Sequence, residues 1–198
     1  MNKAFFKFLI LNSAFLILLS AACGRKKEAP PVESGPPPTI SSLTMKNLAS
    51  EFPGVIRTAD DAGKVQLILF LRSDDPACRG SIADWNRLQK DFADRGFALV
   101  GAVVDDRPVA KVAAEVAGLG ASFPIGLADS RIVDVFGGPS SIRAIPTAFL
   151  LGRDGLVART YAGHEPFPAL RDDLSRVLDG QTLPPRDPKT GKITGAAP

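Results

Sequence analysis

The residues best suited to chemistry in this 198-residue chain are its two cysteines and its single histidine. Cys78 ends the segment 74–78 (Asp-Asp-Pro-Ala-Cys), and an acid followed by a proline is typical of the start of a helix. A helix N-terminus offers unpaired N–H groups and a positive dipole end, which favour a thiolate or a carboxylate. Thiol chemistry at Cys78 is therefore one hypothesis. The carboxylate of an acidic side chain would compete with the Cys78 thiolate for stabilisation by the same helix end.

Asp75 is the residue that we expect to cap this helix. With Pro76 as the first helical residue, the Asp75 carboxylate accepts a hydrogen bond from the backbone N–H of Ala77 or Cys78. Its negative charge disfavours a second anion at Cys78, so we expect a thiol that ionises reluctantly. Two interpretations stay open for Cys78: a small, buried and inert thiol, which is common for free cysteine, and a reactive one.

His164 is the only histidine, and a lone histidine is more often a surface or capping residue than a catalyst. One histidine and so few thiols fall short of the three or four ligands that a metal site usually needs. We therefore expect neither a metal nor a cofactor.

Residues 1–22 have the form of a secretory signal. Lysines precede an apolar run from Phe8 to Leu19, which is shorter than the roughly 18 residues of a spanning helix, and small residues then lead to Cys23. The segment resembles the bacterial lipobox, which implies cleavage before Cys23, attachment of diacylglycerol to its sulfur and a lipid link to the membrane. Plain cleavage that leaves Cys23 free is the alternative.

The regions that flank the folded part are rich in proline. Residues 23–42 predict an extended membrane tether, because proline-rich segments favour polyproline geometry at about 3.1 Å per residue. Residues 184–198 predict a disordered tail. Gly24 stands where lipoproteins that stay at the inner membrane commonly have aspartate. In a Gram-negative cell this favours the outer membrane, with the protein facing the periplasm or the cell surface.

The composition is that of one ordinary globular domain, with 45% apolar and 23% charged residues. A net charge of +3, from 24 basic and 21 acidic residues, is too weak and too scattered to bind nucleic acid. We expect no nucleic-acid partner.

Between residues 43 and 183, apolar strands alternate with amphipathic helices. The runs 65–71 and 97–104 predict central strands covered on both faces, and the helix after Pro76 has apolar residues three or four positions apart. Further elements are predicted as a helix after Pro108, a strand over 125–128, a helix over 131–136, paired strands over 147–151 and 156–161, and a helix after Pro166. This order predicts an α/β sandwich with a mixed sheet.

The order of elements, the Pro-x-Cys helix start and the run 144–149 (Ala-Ile-Pro-Thr-Ala-Phe) resemble the thioredoxin fold over residues 43–178. An extra β-α unit between the two halves is similar to the TlpA/ResA branch of envelope redox proteins, the redoxins. The resemblance implies a three-layer α/β sandwich whose mixed central sheet is flanked by helices and contains an inserted β-α unit. It also implies a cis Ile145–Pro146 peptide bond.

The same resemblance implies a degenerate Trp-Cys-x-x-Cys centre. Cys78 falls on the second, resolving cysteine, Asp75 on the nucleophilic one and Asp74 on the tryptophan. Acidic residues that relatives have near this site fall on Leu69 and Ser81. Together these four departures leave open whether the chain is an enzyme.

The family's groove for an extended peptide lies beside the cis-proline, and the resemblance predicts a protein or peptide partner there. Its lining is expected to include six residues, namely Pro76, Ala77, Ile145, Pro146, Gly163 and His164. The imidazole would reach the rim of the groove, close enough to assist Cys78.

Three functions agree with these residues. The first is an envelope thiol–disulfide oxidoreductase that acts through Cys78 alone. The second is a non-catalytic module that docks an extended peptide by backbone hydrogen bonds. The third is a peroxiredoxin-like peroxidase, whose usual proline, threonine and arginine would fall on Leu71, Asp75 and Pro146.

Overall fold

The computed structural model describes Ile40, residues 43–49 and residues 54–186. The predicted signal peptide, Cys23, Gly24, most of the tether and residues 187–198 lie outside the described residues, so the predictions about them stay predictions. No helix in the described ranges is long and apolar enough to cross a membrane.

One mixed sheet forms the centre of the domain, and its seven strands in the described ranges have the order β2-β1-β5-β4-β3-β6-β7. Their bounds are β1 Thr44–Asn47, β2 Val55–Arg57, β3 Val65–Leu71, β4 Phe97–Val103, β5 Ile125–Leu127, β6 Thr147–Leu151 and β7 Val157–Ala162. Strands β3, β4 and β5 run parallel to one another, β6 runs antiparallel to β3, and β7 runs antiparallel to β6 at the edge of the sheet. The sequence did not predict β1 and β2, because three or four residues are too short for a clear alternating pattern.

Helices cover both faces of the sheet. They are α1 Pro76–Phe92, α2 Val109–Ala117, α3 Ser130–Val135 and α4 Phe167–Leu178. Apolar residues of α1, α2 and α4 pack with one face, and those of α3 pack with the other. Successive residues of β3 point to opposite faces, so Leu69 lies in the first cluster and Phe70 in the second. The predicted three-layer thioredoxin-like sandwich is confirmed, and α2 with β5 forms the inserted helix and strand.

The folded region is wider than residues 43–183. Ile40 is buried and its N–H donates to the Gly155 carbonyl at 3.2 Å. At the other end, the Pro184 carbonyl accepts from Arg159, and Arg186 donates to the buried Asp173 carboxylate at 2.8 Å. A buried carboxylate needs such partners. Ile40, Pro184 and Arg186 therefore contact the domain although they lie outside its predicted bounds, and the bounds of the tether and of the tail stay predictions.

The topology brings three loops to one end of the sheet. Because β3 and β4 are parallel, the segments that follow them leave at the same end. Strand β6 is antiparallel to β3 and starts there, with Thr147 paired to Phe70. The start of α1, the segment after β4 and the loop before β6 therefore lie together.

Candidate functional site

Asp75 caps helix α1 as the sequence predicts. Its backbone is extended, with φ −76° and ψ 128°, and its carboxylate accepts from the Cys78 N–H at 2.8 Å. Pro76 occupies the first turn, where its missing N–H costs nothing. The polar end of α1 is thus already bound to a carboxylate.

The Cys78 thiol faces the interior. The residue is 0% exposed and belongs to the apolar cluster between α1 and the sheet. Burial raises the pKa of Cys78 to about 12, the Arg72 backbone opposes this shift, and the negative charge of Asp75 adds to it. The thiol is therefore buried, and its inertness stays a prediction.

The Ile145–Pro146 peptide bond is cis, as the resemblance implies. Pro146 is buried and its carbonyl accepts from the Gly163 N–H at 2.8 Å. Gly163 has φ +87°, a conformation that side chains other than glycine rarely adopt. The loop after β7 is therefore held against the cis-proline.

His164 contacts α1 through Ser81, one turn beyond Cys78. The Ser81 hydroxyl donates its one hydrogen to the Ala77 carbonyl at 2.8 Å, so it accepts from His164 Nδ1 at 3.0 Å. The imidazole is otherwise exposed. His164 thus forms its side-chain hydrogen bond with Ser81. Within residues 54–186, no hydrogen bond joins His164 to Cys78.

A charged cluster that sequence reasoning missed lies beside this site. The Arg107 guanidinium, which follows β4, donates to Asp105 at 2.6 Å and to Glu115 at 2.9 Å, and it lies 3.3 Å from Asp74. The buried Ser73 hydroxyl donates to Glu115 at 2.7 Å and accepts from Arg107 at 3.1 Å. The cluster ties the segment before α1 to the segment after β4. Its sequence signal is the charged run 105–107 (Asp-Asp-Arg) directly after a buried strand.

Asp105 makes the free energy of unfolding depend on pH in the acid range. Hydrogen bonds from Arg107 lower the pKa of its fully buried carboxyl to about 2, against about 3.9 in an unfolded chain. A lowered folded-state pKa stabilises the fold above the unfolded pKa, and this contribution is lost as pH falls from about 4 to about 2. We expect Asp105→Asn to lower the free energy of unfolding at pH 7 by about 2 kcal/mol and to flatten its slope between pH 4 and pH 2.

Urea unfolding at pH 7 and across the acid range checks this prediction. Asp172→Asn, a change at an exposed helix position, is the matched control. Equal stabilities of wild type and Asp105→Asn at pH 7 would contradict it.

The structure brings the predicted site residues to one end of the sheet, but these residues differ in how far they are exposed. Asp75 is half-buried, Pro76 and Ala77 are exposed, Ile145 is half-buried, and Cys78 lies beneath them. Across the described ranges, no three His, Cys, Asp or Glu side chains are placed to hold a metal ion.

Comparison with known proteins agrees with this geometry. The Redoxin family model matches residues 28–177, more than half of the chain. A thiol:disulfide interchange protein of the thioredoxin family from Chlorobium tepidum TLS has a TM-score of 0.62 at 24% identity, covering 73% of this chain and 98% of its own. The pneumococcal exposed lipoprotein thioredoxin of Streptococcus pneumoniae strain TIGR4 has a TM-score of 0.59 at 18% identity, covering 68% and 98%. These identities show the shared fold alone. No curated protein matches the chain.

Proposed function

The chain belongs to the redoxin family of thioredoxin-like thiol–disulfide proteins, and from this premise we propose a lipid-anchored envelope protein that docks a partner without exchanging electrons. The proposed docking surface is the groove beside Ile145 and Pro146. We propose that the chain lacks the family's nucleophilic thiol, because Asp75 occupies the position of that cysteine.

The observation that carries the proposal is the pairing at the start of α1. The carboxylate of Asp75 takes the N–H that would otherwise stabilise a thiolate, while the Cys78 sulfur is buried. The attacking species in disulfide exchange is the thiolate, and a pKa of about 12 leaves almost none of it at neutral pH. The same reasoning counts against a peroxidatic Cys78.

Backbone groups at the groove support docking. Ile145 lies outside the strands, and neither its N–H nor its C=O has a hydrogen-bond partner among the residues that the structure describes. An extended segment can pair with such groups in the manner of an added strand. Pro76 and Ala77 at the start of α1 are exposed beside it.

Lipid anchoring is supported by the sequence around Cys23 and by likeness to a lipoprotein thioredoxin. We expect labelled palmitate to enter the wild-type protein in its native host and not a Cys23→Ser variant. In a Gram-negative host, Gly24 favours the outer membrane. An unlabelled wild-type protein would contradict the anchoring.

Two assays test the loss of electron exchange. We expect insulin-disulfide reduction by the wild type to stay at the rate of dithiothreitol alone. We also expect the wild type to retain a partner protein from an envelope extract. Cys78→Ala should retain the same protein equally, and a reductant should release it from neither. A rate above background that Cys78→Ala removes would favour the single-thiol oxidoreductase.

A matched pair of variants tests the place of docking. Ala77→Trp adds bulk at the exposed start of α1, and Ala83→Trp adds the same bulk at an exposed position further along the helix. We expect Ala77→Trp to retain no partner protein and Ala83→Trp to retain it like the wild type. Equal retention by both variants would place docking elsewhere.

A further inference from the structure

Ile145 also lines an open cavity of about 410 Å³. Most of its lining is apolar, and the apolar residues are Val104, Val133, Pro139, Ile142 and Ile145. Ile142 and Ile145 are half-buried, so they keep apolar surface on the side of the cavity. Ligand pockets start at about 300 Å³, so this cavity is large enough for a bulky apolar side chain.

Of the two charged residues that line the cavity, only the acidic one lacks an ion pair within the described ranges. Arg72 lines it but donates two hydrogen bonds to Asp74, at 3.1 and 3.3 Å. Asp134 lines it, is exposed, and has no hydrogen bond or ion pair from its side chain to any residue described. Arg143, in the following loop, donates to the Ser140 carbonyl and not to Asp134.

The unpaired backbone of Ile145 indicates what kind of ligand would use both the apolar cavity and the Asp134 carboxylate. A strand paired with Ile145 has side chains that alternate in direction, so residues two apart point the same way. Because Ile145 and Asp134 line the same cavity, one such side chain would enter it and the next on the same side would lie towards Asp134.

We propose that the docked partner is an extended peptide segment with a large apolar side chain in this cavity and a lysine or arginine two residues away, paired with Asp134. The inference rests on the proposed docking function and specifies the chemistry of the partner. Each feature selects a different property of the peptide, because the mostly apolar lining favours an apolar side chain and Asp134 repels an acidic one.

Blocked heptapeptides with phenylalanine at the centre and lysine, glutamine or glutamate two residues away test the proposal by fluorescence anisotropy with the full chain. We expect the lysine peptide to bind at least about tenfold more tightly than the glutamate peptide at low salt, and this ratio to shrink as salt rises. Asp134→Asn should remove the preference, whereas Asp172→Asn should keep it. Serine in place of phenylalanine, or Ile142→Asp in a protein with an unchanged circular dichroism spectrum, should abolish binding.

The outcomes separate this inference from the proposed function. Phenylalanine peptides that bind without charge preference, or a preference that persists in Asp134→Asn, would overturn the inference and leave docking at Ile145 intact. Absence of binding by every peptide would also overturn it, and the Ala77→Trp retention assay then decides the proposed function separately. Binding of the peptides that survives Ile142→Asp would place their site outside this cavity.

Discussion

Replacing Asp75 by cysteine is expected to restore disulfide exchange. Residue 75 has the extended backbone of a helix cap, and its side chain meets the Cys78 N–H at 2.8 Å. A thiolate there would accept that bond and gain from the helix dipole, which lowers a thiol pKa below its free value of about 8.5. Because Cys78 follows three residues later, the variant has the Cys-x-x-Cys spacing of the redoxin resemblance.

The expected gain is large. A thiol with a pKa of about 8.5 or lower has about 3% or more thiolate at pH 7, which is at least about 1,000-fold more than a thiol with a pKa of about 12. We expect Asp75→Cys to reduce insulin disulfides and to form an internal disulfide in a glutathione buffer, detected by mass spectrometry.

Two variants control this experiment. Asp75→Ser keeps a capping oxygen without a thiol and should stay inactive. Asp75→Cys combined with Cys78→Ser should attack disulfides but accumulate mixed disulfides, since no second thiol resolves them. A correctly folded Asp75→Cys protein that stays inert would contradict our account of why the wild-type site lacks exchange.

The second expected result is that Cys78 resists alkylation across the neutral range. In a Cys23→Ser chain it is the one remaining cysteine. With a pKa of about 12, its reaction with iodoacetamide at pH 7.5 should be at least about 100-fold slower than in guanidinium, where a thiol titrates near 8.5 but its thiolate is a weaker nucleophile. Burial of the sulfur slows the reaction further.

The pH profile identifies the cause. We expect the alkylation rate to rise about tenfold per pH unit, without a plateau below pH 10, while circular dichroism shows the protein folded. Asp75→Asn should lower the pKa but leave it above 8.5, because burial is the largest cause of the shift and the Asp75 charge a smaller one. A plateau between pH 7 and pH 8 would contradict the buried thiol and favour the oxidoreductase.

The sequence alone determined the class of fold and the helix cap at Asp75. Buried parallel strands are continuous apolar runs, and packed helices have apolar residues three or four apart, so both patterns are local properties of the chain. The capping role of Asp75 is local as well, because a cap and the N–H that it binds lie within one turn. Short edge strands such as Thr44–Asn47 left no comparable signal.

Only the tertiary structure decided the surroundings of the site. Whether Cys78 is inert depends on its burial, which is set by strands and helices that are distant in the sequence. Arg107 reaches Asp74 because β3 and β4 end side by side, and His164 reaches Ser81 across 83 positions of the chain. Desolvation and charge pairing act through space, so the pKa of a thiol and the free charge of a cavity follow from packing and not from sequence spacing.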